Sequence, residues 1–533
     1  MKTTLNGVML RRLFKCSTII PLVAGALLAS SAMADTLRVI SDQDLKTVDP
    51  MVTTATSTLL HASLIYDKLF ELDEKGTPQP SLADKSESSD DKKTYTITLR
   101  NNLKFSDGTP ITTDDVIQSL RRWMSRDQIG QMLAARLNEM IKVDDLTFRI
   151  ELKQPFDVPA ALAEIAGNPP FIMPKRVASI PATETLTDGT GSGPYTFDLA
   201  NWQPGQRRVY VKNPYYVPRS DAPSGRAGKK EAVFDEIDLT NVPDPNTATA
   251  AMLTDQYDIW LQPPMDNGLT FRSNPKFVVE NGIWYSNNVR PNVLNPPFDN
   301  VKAREALTYL VDQKDLLPLE AGDPTMWREC YAILACGSQH GDESAYKGHR
   351  GKPDYDKAKQ LLTEAGYDGK PIVILDPTDY APYHSRMLYL AQELRKAGAQ
   401  VELQSMDWAT LTSRRASKDP VAKGGWNLMA SGMDAPNASS PITHLMLASN
   451  CGEAWFGWPC DKEIEKLRAA FVSATSEAEK KAITSDLQKR ASEYLPFVLT
   501  GESSQPVVRR AEIEGFDAGA SVFYFWNVRR ASK

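Results

Sequence analysis

From Thr94 to Leu99 the chain alternates threonine with Tyr95, Ile97 and Leu99, the period of two that marks a strand with one buried face. Ser106-Asp107-Gly108-Thr109-Pro110 follows, where Asp caps its own backbone, Gly accepts positive φ and Pro ends ladder pairing, so a turn is predicted. Val116, Ile117 and Leu120 then recur at helical spacing behind Thr112 or Thr113 as N-cap, with Asp114 and Asp115 in the first turn, where the helix dipole favours them. The same reading predicts a strand at 37–40, a helix over 53–69, a self-contained block of strands and helices over 73–196, and a strand at 234–239. From about Asn292 helices dominate: 298–307, 311–317, Tyr355 to a stop at Gly366, 385–397 and 408–417, with strands at 372–375 and 400–404 between them. That alternation predicts parallel pairing through crossover helices, and strands at 495–500 and 506–510 close the pattern.

The first 34 residues read as an export leader. Lys2, Arg11, Arg12 and Lys15 precede an apolar run from Ser17 to Ser30, and Ala32-Met33-Ala34 is a small-x-small cleavage site. The run is shorter than the roughly 20 residues a spanning helix needs, and Cys16 lies ahead of it, which does not suit a lipid anchor. Removal of these four basic residues lowers 61 Lys and Arg to 57, against 67 Asp and Glu, a net charge of −10. Such a surface excludes a nucleic-acid partner, which needs concentrated positive charge. Four cysteines then remain, as two close pairs, Cys330 with Cys336 and Cys451 with Cys460. An oxidised compartment predicts two local disulfides, with crossed pairings still open. A metal site using Cys336 and His340 would lack the usual four ligands.

The segment Tyr95–Ser119 also resembles the signature of family 5 of the ABC transporter extracytoplasmic solute-binding proteins, the dipeptide- and oligopeptide-binding type. Val48-Asp49-Pro50, Ile65-Tyr66-Asp67-Lys68-Leu69-Phe70, Gly191-Ser192-Gly193-Pro194-Tyr195, Trp202-Gln203-Pro204-Gly205, Lys212-Asn213-Pro214-Tyr215-Tyr216 and Val311–Leu317 are similar to other stretches of that family, in order from about Val39 to Phe516. The resemblance implies an α/β, two-lobed periplasmic-binding-protein fold (type II, cluster C like) with a ligand cleft between the lobes. Its first lobe would comprise 35–72, 197–292 and 498–533, with an extra subdomain at 73–196, and its second lobe 293–497. It implies hinges near 287–294 and 494–500. It also implies a monomer, no cofactor, and a periplasmic role delivering short peptides to the permease and ATPase of an inner-membrane importer. An opine, glutathione-like or other amino-acid conjugate is the alternative cargo.

The resemblance assigns Asp434 to the ligand's α-amino group and Arg415, on the Trp408-led helix, to its carboxylate, with Arg386, Tyr383 and His384 as competitors. Charge-assisted bonds at both ends of a zwitterion give selectivity, because an unpaired terminus in a closed cleft is costly. Thr54 and Thr56 would meet the peptide main chain, Met433 adjoins Asp434, and Trp408 and Trp426 would be cleft walls. A secreted hydrolase is the rival of another class. The chain has no Gly-x-Ser-x-Gly and no His-Glu-x-x-His, and His61, His340, His349, His384 and His444 form no catalytic spacing.

Overall fold

The computed structural model describes residues 34–531 apart from 42, 166, 182, 183, 185, 206, 475 and the side chain of 409. The predicted leader, with Cys16, lies outside the described residues up to residue 33. Two long strands, Phe277–Pro291 and Val498–Arg510, pair antiparallel and occupy the middle of an eleven-stranded sheet. On one side the sheet continues through Leu428–Asp434, Ile372–Pro377 and Val401–Met406, the last three parallel to one another as the alternation predicted. On the other it continues through Ile259–Trp260, Thr36–Ser41, Glu236–Asn241, Arg208–Lys212 and Tyr195–Phe197. The segments 495–500 and 506–510 are thus parts of one strand.

Separate cores flank the long strands. Leu37, Val39, Leu239, Ile259 and Phe525 belong to one, and Val289, Leu307, Ile374, Leu390 and Leu428 to another. A four-stranded antiparallel sheet, Ala83–Ser88, Thr94–Leu99, Thr147–Leu152 and Leu137–Lys142, carries a third core with Val116, Leu120 and Trp123. Its helix Thr113–Met124 starts as predicted, with the Thr112 amide donating to Asp115 Oδ2 at 2.9 Å. Ile442 and Val472, distant in sequence, pack against this third core.

The helix predicted over 53–69 runs from Thr56 to Ile65, and the Gly191–Tyr195 segment ends it. The Gly193 amide donates to the Ile65 carbonyl at 2.9 Å, and the Ser192 hydroxyl oxygen accepts from the Asp67 amide at 2.9 Å. A Cβ on Gly191 would lie 1.8 Å from Ile65 O, so this contact needs glycine. Beyond the break, Asp67, Lys68 and Glu71 turn inward to Lys230, whose ammonium lies 2.5 Å from Asp67 Oδ1 and 2.8 Å from Glu71 Oε1. Burial alone would raise the Glu71 carboxyl, but Lys230 and Lys68 reverse this and hold it down at about 2.

Both local disulfides are present, Cys330–Cys336 and Cys451–Cys460. Glu502 lies beside the first pair, but those sulfurs are bonded to each other, which removes Cys336 as a metal ligand.

Asp49, of the Val-Asp-Pro stretch, forms a buried bidentate pair with Arg122, at 3.0 and 2.6 Å. Asp49→Ala strands that guanidinium and is expected to cost about 3–5 kcal/mol in urea unfolding. Glu87→Ala, which breaks the exposed Lys85–Glu87 pair, should cost less than about 1 kcal/mol.

Candidate ligand-binding site

The strand Leu428–Asp434 is buried as far as Ser431 and emerges at Gly432, Met433 and Asp434, which are half-buried. Asp434 ends the strand and caps the short helix Ala435–Ala438, accepting from the Asn437 amide at 3.1 Å and from Asn437 Nδ2 at 2.8 Å. No cation lies within salt-bridge distance of it among the described residues. Burial pushes its carboxyl up to about 6, opposed by the Asn437 bonds, and the negative charge of Glu164 pushes the same way as burial.

Glu164 follows the helix Val158–Ala163, and the Thr54 loop lies elsewhere in the sequence, before the helix Thr56–Ile65. Asn168 fixes that loop, its Nδ2 donating to Pro50 O at 2.5 Å and Thr53 O at 3.1 Å, while its amide donates to Asp127. Thr54 is exposed and Thr56 half-buried. Glu164 is thus the distant acid whose charge reaches Asp434, although nothing in its local sequence singles it out.

Arg415 ends the helix Trp408–Arg414, one turn shorter than predicted. Its guanidinium carbon lies 5.8 Å from the Trp408 ring, 5.2 Å from Trp455 and 4.7 Å from Phe456. Burial lowers its pKa to about 10, and its Nε, fully buried, has no hydrogen-bond partner among the described residues. Among the described residues no carboxylate reaches it. Other buried arginines hold oxygen acceptors: Arg122 has Asp49, and Arg290 has the carbonyls of Phe456, Met446, Pro496 and Trp455.

Tyr383 connects the two charges. Its ring meets Trp408 edge-on at 5.5 Å, and its hydroxyl reaches Gly432, where an added Cβ would lie 2.9 Å away. Glycine at 432 thus admits the tyrosine two residues from Asp434. Tyr380 packs on both Tyr383 and Trp408, at 4.7 and 5.7 Å.

Three predicted residues are placed differently. Arg386 is fully buried and holds Glu320 at 2.7 Å through both Nε and Nη2, with Nη1 on Asn288 O and Ser431 O, so it is occupied within the lobe. His384 Nδ1 lies 2.6 Å from Asp376 Oδ1. Trp426 is a core side chain rather than a wall, packed on Trp458, and its indole donates to Arg415 O at 3.2 Å from behind. Trp455 and Phe456 were missed. Their signal was the aromatic loop between Cys451 and Cys460, close in sequence to Asp434.

The model of the bacterial extracellular solute-binding proteins, family 5, matches residues 77–452. The chain belongs to this family. It is 36% identical, over 92% of each chain, to a probable peptide ABC transporter periplasmic-binding protein of Sinorhizobium fredii. It is 25% identical to the glutathione-binding protein of Escherichia coli, over 90% of this chain and 91% of that one. A dipeptide-binding protein of Pseudoalteromonas, solved in complex with Met-Leu, shares its two-lobed fold with a TM-score of 0.77 at 21% identity, covering 93% and 100% of the two chains. Family 5 proteins bind solutes rather than transform them, which removes the hydrolase reading. No helix among the described residues is long and apolar enough to cross a membrane.

Asp434 takes its proton near pH 6 when folded and near 3.8 when unfolded. Its charge therefore penalises the folded state above pH 6, and the penalty is relieved as the pH falls toward 4. Asp434→Asn should raise the thermal midpoint of the ligand-free protein at pH 7.5 and lose that advantage by pH 4.5. Equal midpoints at pH 7.5 would contradict the shift.

Proposed function

We propose that the protein, exported to the periplasm with its leader cleaved after Ala34, is the monomeric binding component of an ABC importer for short peptides. It would hand them to a membrane permease driven by an ATPase. The observation that carries this reading is a pair of opposite, half-buried charges, each without a counterion among the described residues: the Asp434 carboxylate and the Arg415 guanidinium, with Tyr383 between them. An uncompensated buried charge costs several kcal/mol, and a zwitterion supplies both partners at once. Asp434 would take the α-amino group and Arg415 the carboxylate, in the planar geometry a guanidinium favours.

Thr54 contributes main chain. Its N and O make no hydrogen bond among the described residues, which leaves them open to an extended ligand. Tyr383, Met433 and Trp408 would line the middle of the site, and Thr56 would fix the start of the helix behind Thr54. Closure would rotate the lobes about the two long strands, whose pairing shifts register at Asn281/Trp284 and Asn287/Asn288. The Sinorhizobium relative, a probable peptide transporter component, supports peptide over other cargo.

Native mass spectrometry of protein purified from its own periplasm, followed by denaturation, should release a series of short peptides. A single opine or glutathione-like compound would overturn the peptide reading in favour of a conjugate. By titration calorimetry, Asp434→Ala and Arg415→Gln should each weaken a bound peptide at least about 30-fold, matching the 2–5 kcal/mol cost of truncating one partner of a buried charge pair. N-acetylation of the peptide should add little to the first variant, and C-terminal amidation little to the second.

A further inference from the structure

The ten-residue loop closed by Cys451 and Cys460 does more than join two elements. Its apex presents Trp455 and Phe456 to Arg415, while its base is fastened from below. Arg290, fully buried near the end of Phe277–Pro291, donates from Nε to Phe456 O at 2.7 Å and from Nη2 to Trp455 O at 3.2 Å. The Trp455 ring therefore lies near two guanidiniums, 5.4 Å from that of Arg290 and 5.2 Å from that of Arg415. Gly457 has φ of +94°, and a Cβ there would lie 2.6 Å from Pro291 O, so the loop descends onto the long strand at a position that requires glycine. The Val293 amide takes Gly457 O at 2.9 Å, and the Cys460 amide takes the Tyr494 hydroxyl at 2.7 Å.

This anchoring fixes two aromatic faces against a cation that lacks an acid. Ring faces attract a guanidinium without neutralising it. They also displace the water that would otherwise screen it, which strengthens any later ion pair. Trp408 supplies a further face from the helix that carries Arg415.

We infer that Trp455 and Phe456 are specificity-determining residues of the binding site, which hold Arg415 dry and oriented so that it accepts a ligand with a free terminal carboxylate and rejects the same ligand as an amide. The inference rests on the reading of Arg415 as the carboxylate partner and extends it to the disulfide loop. An amide offers Arg415 one neutral oxygen in place of two charged ones, and its NH2 group would meet the aromatic faces or the guanidinium donors unpaired. Discrimination should therefore depend on the rings as well as on the arginine.

The test uses the full mature chain, with Met-Leu and Met-Leu amide as probes in titration calorimetry. The variants are Trp455→Leu with Phe456→Leu, which keep apolar bulk and remove the ring faces, and Trp455→Phe with Phe456→Tyr, which restore them. The wild type should bind the acid at least 100-fold more tightly than the amide. The leucine pair should reduce that ratio at least tenfold, and the aromatic pair should restore it. Thermal midpoints of all three proteins separate a loss of fold from a loss of discrimination. If the wild type discriminates and the folded leucine pair keeps its full ratio, or fails to fold while the aromatic pair does not discriminate like the wild type, the role of the loop is overturned and Arg415 stands alone. If the wild type binds the acid no better than the amide, the assignment of Arg415 itself is wrong.

Discussion

The pairing of Phe277–Pro291 with Val498–Arg510 is the constraint on which the rest depends. One strand comes from the middle of the chain and the other from much later in it, and together they join the strands on either side into a single sheet. Two parts of the candidate site can be traced back to this ladder. Leu428–Asp434 pairs with Tyr285–Pro291, which sets Asp434 opposite Tyr285 at the exposed end. Arg290 projects from the same strand to hold the loop beneath Trp455. The two register shifts lie within this ladder, and bulges of this kind bend and twist a strand without ending it.

Buried charge is handled in two ways in this molecule. At Asp49 with Arg122, at Asp67, Lys68, Glu71 and Lys230, and at Glu320 with Arg386, acids and bases are matched inside the fold. These groups join distant segments and satisfy one another, so a ligand has nothing to offer them. Asp434 and Arg415 are not matched in this way, and unlike Arg290, which is surrounded by carbonyls, Arg415 faces aromatic rings. Each is held by neutral neighbours, Asn437 in one case and aromatic rings in the other, and the contrast with the matched groups marks them more clearly than burial alone would.

Much of the architecture was legible because local signals and chain-long order agreed. The capped helix at Thr113, the parallel strands at 372 and 401 and both disulfides followed from short-range patterns. The break in the helix at Ile65 did not, because its cause is Gly193, more than a hundred residues away, and helical periodicity carries no trace of a distant hydrogen-bond donor. The candidate site was read unevenly for a similar reason. Asp434 and Arg415 stand in recognisable local segments, whereas Arg386 looked equally available until Glu320 was found against it. Trp426 and Trp455 cannot be told apart by residue type. One is sealed behind Arg415 and the other faces it, and the fold of the loop decides which.

The position of Val498–Arg510 in the chain has a consequence for the order in which the protein folds. The central sheet cannot be completed until this strand, far in sequence from its partner Phe277–Pro291, has been made. Contacts of such long range form late, because a very large loop must close first. Until then the emerging polypeptide lacks the element that would lock it shut. The long ladder thus makes the order of synthesis an order of folding, with the central sheet closing after its flanking strands have formed.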